Sequence, residues 1–195
     1  MMQKLKWLTA GESHGKGLLG ILEGIPAGLE VEEEYIAAHL ARRQKGHGRG
    51  GRMKIEEDRA EIYCGIRHGK TLGSPIGLIL PNRDWDNWKT KLSVEPVDEE
   101  VKKVTLPRPG HADLAGAQKF GFDDIRNVLE RSSARETAMR VALASVCRKL
   151  LEKVDIEVGS RVIQIHKVKD PSPIPEETSP SQLNAIVDES PVRCL

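Results

Sequence analysis

The chain has 195 residues, 30% of them charged and 38% hydrophobic, with a formal net charge of +1, a composition that fits a folded protein with a sizeable core and excludes a disordered one. The near balance of charge gives no global field to draw the protein to nucleic acid or an anionic membrane. Three tryptophans, two tyrosines and two phenylalanines are too few for a base-stacking platform.

Along the chain, residues 4–9 and 18–25 are short and apolar-rich and read as strands on either side of GESHGKG (11–17). EEEYIAAHLARR (32–43) has helical spacing through Ile36, Ala37 and Leu40, with acids in its first turn and arginines in its last, as the helix dipole favours. KGHGRGGRMK (45–54) has no apolar periodicity and is a loop. Residues 60–66 and 76–80 read as strands separated by turn residues, and LPRPGHADLAG (106–116) as an ordered loop. From Phe122 the pattern turns helical. Ser133 and Glu136 have capping-box spacing, so a helix is expected to start near Ala134. Met139, Leu143, Val146 and Leu150 line one stripe of it, and Val141, Ala144 and Leu151 another, which places it between layers. Residues 156–168 read as a strand, and the proline-rich 169–181 as a linker-like loop. Apolar runs such as LLGIL (18–22) are too short to span a bilayer, and the N-terminus has no secretory-signal pattern. Cys64, Cys147 and Cys194 are scattered and odd in number, which argues against a disulfide framework or structural zinc site and for a reducing cytoplasm. Residues 1–195 are expected to form a single domain.

The glycine-rich stretch at 11–17 is not a phosphate-binding P-loop, because the glycine spacing is wrong and Lys16 is followed by Gly17 instead of a hydroxyl. Nor does it carry a GxGxxG fingerprint. It reads as an ordered turn presenting Ser13 and His14, with a hydrogen-bonded turn histidine as the plainer alternative. Arg42, Arg43, Lys45, Arg49, Arg52 and Lys54 follow with no acid among them and with glycines at 46, 48, 50 and 51, so guanidinium groups can converge on phosphate or carboxylate. Arg108 precedes His111 by three residues, and Arg131 and Arg135 flank Ser132 and Ser133 at a helix start. Three arginine clusters set among glycine, serine and histidine point to a buried polyanionic small ligand. The competing reading is an RNA-binding module built on the Arg/Gly-rich loop 42–54. Cys64 and His68 lack the partners for a metal site, and none is expected. Trp85 and Trp88 read as packing or a subunit contact; His39, His47 and His166 have no distinguishing context.

GESHG with ILEGIPAGL, ARRQKGHGRGGRMKIE, RHGKTLGSPI, RPGHADL and ERSSARETAMRVA, in this order from residue 8 to about 148, resemble the chorismate synthase family. The family's full-length members are considerably longer, so the chain reads as an N-terminal portion. The resemblance implies an α+β fold with helices sandwiched between antiparallel β-sheets, a homotetramer, and a lyase that eliminates phosphate from 5-enolpyruvylshikimate 3-phosphate to give chorismate. It implies reduced FMN as cofactor and, in members that reduce their own flavin, NADPH. By resemblance, His14 is the acid near the departing phosphate and His111 protonates reduced flavin. Ser13, His14, Arg43, Arg49, Arg52, Arg108, Ser133 and Arg135 match substrate-binding positions. Arg43, Arg49, His111, Arg131, Ser132 and Ser133 match cofactor-binding ones, Arg43 and Arg49 being those assigned to NADP. A phosphorylated dicarboxylate substrate accounts for so many arginines. Arginine holds its proton, so it binds and stabilises departing charge, while a histidine titrates near neutrality and can release one. A family aspartate that assists removal of the ring proton lies in the C-terminal half, so this chain by itself is expected to be inactive.

Overall fold

The computed structural model describes residues 4–48 and 57–195. In chain order its first six strands are β1 (Lys6–Gly11), β2 (Gly17–Glu23), β3 (Glu61–Cys64), β4 (Ile66–Arg67), β5 (Lys70–Thr71) and β6 (Ile76–Pro81). Four of them form one sheet, in the order β1-β2-β6-β3, with every neighbouring pair antiparallel; β4 and β5 pair as a hairpin of their own. The helices are α1 (Glu33–Gln44), α2 (Asp113–Phe120), α3 (Arg126–Leu129), α4 (Glu136–Glu152) and α5 (Pro180–Asp188), and a 3-10 turn spans Arg83–Asn87. An antiparallel sheet with helices layered on it is the α+β class expected.

Alternation decides which sheet face is covered. Leu18 and Leu22 on β2, and Ile76, Leu78 and Leu80 on β6, all point inward and are almost wholly buried. They meet Met139, Leu143 and Val146 of α4, whose other side packs on Ile36 and Leu40 of α1. α4 does lie between sheet and helix, but the second stripe differs from the one expected: Ala144 is exposed and Val141 and Leu151 are half-buried, while Ala138, Ala142 and Ser145 are buried. Close approach of α4 to β2 needs Gly20, where a Cβ would stand 2.5 Å from Met139 Sδ. The outward face is also apolar: Leu8 pairs with Ile21 and Ala10 with Leu19, and Leu8, Leu19 and Ile21 are 66%, 50% and 48% exposed.

Four local expectations are corrected. The Ser133/Glu136 capping box does not form: α4 starts at Glu136 behind Arg135, the Ser133 hydroxyl accepts from the Arg135 amide, and Glu136 is drawn to Thr9 and Arg140 instead. The capping box lies in the stretch read as linker, where Ser179 and Gln182 cap each other's amides and Pro180 opens α5. The strand expected over 156–168 shrinks to the two-residue β7 (Gln164–Ile165), paired only with β8 (Val168–Lys169); Ile156, Val158, Ile163 and Ile165 are exposed, so no sheet face rewards the β-branched pattern. The 106–116 loop ends early, because α2 begins at Asp113.

Candidate active site

The glycine-rich turn joins β1 to β2 and is clamped from two sides. Asn82, just beyond β6, donates its side-chain amide to the Glu12 and Gly15 carbonyls at 2.9 and 2.8 Å, and its backbone amide to Lys16 O. Its carbonyl oxygen accepts from Arg135 Nε at 3.0 Å, which fixes the orientation of the amide. From the other side comes Glu130, at the end of α3. Its backbone carbonyl accepts from Ser13 N at 2.9 Å, and its carboxylate from His14 N at 2.9 Å. His14 Nδ1 lies 2.9 and 3.1 Å from the two carboxylate oxygens. The imidazole stacks on the Trp88 indole, centroids 4.2 Å apart and planes 27° apart. Lys91 and Arg126 stand over the indole at 5.0 and 5.4 Å. Desolvation, and then the Glu130 carboxylate, push the Glu12 carboxyl up. Trp88 is thus the support for His14.

Behind the turn lies a buried ion-pair cluster. Asp58, fully buried, is bonded by Arg135 and lies 3.5 Å from Arg43 Nη1. Arg43 also donates to Thr137 Oγ1 and to Ala134 O, both at 2.9 Å. Arg131 donates to Thr9 O and Oγ1 at 2.9 and 3.0 Å, and Thr9 in turn donates to Glu136 at 2.6 Å. Arg131, Ser132 and Ser133 therefore follow the Glu130 anchor directly, with Arg131 and Ser132 exposed.

Arg108, His111 and Asp113 form the third cluster. Asp113 is fully buried and accepts from Arg108 N and Nε, each at 3.0 Å, and from His111 Nδ1. The Arg108 guanidinium holds the Asp113 carboxyl down at about 2 against an ordinary 3.8, although burial works the other way. Arg108 Nη2 is 3.1 Å from both ring nitrogens of His111. This cluster is tied to the first through packing: α2 lies on α3, where Gly116 meets Val128, and α3 carries Glu130.

Of the residues singled out in the sequence, Ser13, His14, Arg43, Arg131, Ser132, Ser133 and Arg135 are gathered around the β1–β2 turn and the start of α4. Arg108 and His111 sit at the start of α2. Arg49 and Arg52, with the end of the Arg/Gly-rich loop from residue 49 on, lie outside the described residues. Glu130, Asn82, Asp58 and Asp113 escaped the sequence reading. Glu130, Asn82 and Asp58 have partners distant in sequence, 116 residues away for Glu130 and His14, whereas Asp113 has its partners Arg108 and His111 close by in the same motif. Among the described residues no three His, Cys, Asp or Glu side chains are grouped as a metal site, and no helix is long and apolar enough to cross a membrane.

The fold and site define an α+β protein whose histidine and serine sit on a turn between two strands, backed by the start of a helix that delivers arginines and serines. The family model described as chorismate synthase matches residues 5–195, and the chain belongs to that family. Chorismate synthase of Geobacillus kaustophilus (strain HTA426) is 56% identical over 194 residues, covering 98% of this chain and 50% of the relative. That of Enterococcus faecalis (strain ATCC 700802 / V583) is 54% identical over the same span. A crystal structure of chorismate synthase superposes with a TM-score of 0.75 at 40% identity, covering 100% of this chain and 50% of that one. The chain spans about half the length of the curated relatives it matches.

Proposed function

We propose that the complete protein is a chorismate synthase, eliminating phosphate from 5-enolpyruvylshikimate 3-phosphate in the shikimate pathway. The observation that carries this reading is His14, held on a clamped turn by Glu130 and flanked by the serines and arginines at the start of α4. A proton on His14 Nε2 passes to the departing phosphate oxygen, and Ser13, Arg43, Arg49, Arg52, Arg108, Ser133 and Arg135 bind the substrate's phosphate and carboxylates. Arg43 and Arg135 come pre-oriented by Asp58, which lowers the entropy lost when an anion docks.

The donor set fits reduced FMN. The exposed Arg131 and Ser132, with Ser133 beside them, offer a guanidinium and two hydroxyls suited to its phosphate and ring carbonyls, and His111 completes the set. When bound, the flavin supplies electron chemistry that no side chain offers. His111 keeps one nitrogen on Asp113, which fixes the orientation of the ring.

NADPH is the proposed reductant where flavin is reduced in place, with Arg43 and Arg49 as ligands. Support comes from a cavity of about 660 Å³ beside Arg43, lined also by Arg42, Arg148, Arg161 and Arg193. Burial, and then the Arg148 charge, lower the pKa of His39 on the same wall. A homotetramer in the cytoplasm completes the proposal.

The test is steady-state kinetics of full-length protein with saturating reduced FMN. His14→Ala should lower kcat by about 10²–10⁴-fold, the range of a lost general acid, with KM little changed. A change in KM alone would make His14 a binding residue. The 195-residue chain by itself should form no chorismate; formation would show that the activity needs no further sequence.

A further inference from the structure

Resting on that reading, we infer that Glu130 and Trp88 are positioning residues that hold His14 as the Nδ1–H tautomer and leave Nε2 as its only working nitrogen. The Glu130 side chain is 2% exposed, and an ionised carboxylate has no proton to give. The nitrogen 2.9 Å from it is therefore the donor. The same oxygen accepts from the His14 backbone amide at 2.9 Å, so backbone and ring are tied to one atom and the side chain cannot swing without breaking both contacts. Trp88 covers one face of the ring at 4.2 Å and limits rotation about the Cβ–Cγ bond. Glu130 is itself braced, with Arg126 Nη1 at 3.9 Å on the same helical face.

The consequence for the reaction is a definite proton path. In the charged state both nitrogens bear protons, Nδ1–H on Glu130 and Nε2–H toward the ligand. Transfer of the Nε2 proton to the departing phosphate oxygen leaves neutral imidazole with Nδ1–H still bonded to the carboxylate. Glu130 takes no proton and the ring need not turn. The arrangement gives an acid with one exit for its proton, the role an orienting carboxylate plays for histidine in other sites.

The experiment reads the tautomer directly. Full-length protein with ¹⁵N-labelled histidine side chains, at alkaline pH, should show His14 with a protonated Nδ1 and a bare Nε2. In Glu130→Ala the ring should shift toward the Nε2–H form that free imidazole prefers. In the same variant kcat should fall by about 10–100-fold, the usual loss for an orienting partner, with KM within a few fold; Glu130→Asp should recover part of it. The Ser13 N to Glu130 O bond is made by backbone and survives these substitutions. An Nε2–H tautomer in the unmutated protein overturns the inference without any variant. An unchanged tautomer in Glu130→Ala does so as well. If the tautomer shifts as expected while kcat holds, the orientation of His14 does not limit turnover and its assignment as the acid fails instead.

Discussion

At the scale of single residues, charge in this molecule is placed where burial makes it matter. Asp113 has no exposed surface and is answered by Arg108 and His111. Its carboxyl lies at about 2 in the folded protein, against roughly 3.9 in an unfolded chain. A depressed carboxyl adds stability above the unfolded value and loses it as pH falls toward the folded one. Asp113→Asn should therefore lower Tm at pH 7, and the gap to the unmutated protein should close between about pH 4 and pH 2. Thermal melts by circular dichroism across that range check it; a gap independent of pH would show that the loss is packing and not charge. Asp58, also buried, is the ion-pair partner of Arg135 and Arg43. Arg135, buried to 7% exposure, takes its place in the site already held by that acid.

Among elements, the decisive contact for the site is α2 on α3, because it ties the Arg108–His111–Asp113 cluster to the helix that carries Glu130. Gly116 makes it possible. A Cβ there would stand 2.4 and 2.9 Å from the two methyls of Val128, a stiff β-branched side chain that is itself buried. In an exposed helix interior, Gly→Ala gains about 1 kcal/mol. Here overpacking, at about 1–3 kcal/mol, opposes the gain, and Gly116→Ala should come out destabilised in urea titrations. A stabilised variant would mean the two helices separate easily and do not couple the clusters.

For the whole molecule, the outer face of the sheet is the unusual feature. Leu8, Leu19 and Ile21 are side by side and about half exposed or more, where a monomer would place polar residues. Buried in the proposed homotetramer, this face would contribute to association. The double variant Leu19→Lys, Ile21→Lys leaves the inward residues of β2 untouched, so the sheet should form while sedimentation of the full-length protein shifts to smaller species. An unchanged tetramer would take this face out of the interface.

Periodicity and composition by themselves determined the elements that bury a regular stripe: β2, β6, α1 and the Met139–Leu143–Val146 side of α4. The arginine and histidine clusters were also legible, because charged side chains next to glycine and serine announce an anion site through local chemistry. What only the tertiary structure decided is how those groups are held. Glu130 reaches His14 across 116 residues, Arg135 meets Asp58 across 77, and Asn82 ties the turn to α4 through Arg135 Nε. The same long reach undid the Ser133/Glu136 box, since Glu136 is drawn to Thr9 on β1 and its own cap is left unmade. Hydrogen bonds and ion pairs are short in space and indifferent to separation along the chain, so local pattern could name the working residues while the partners that orient them appeared only once the sheet and helices had packed.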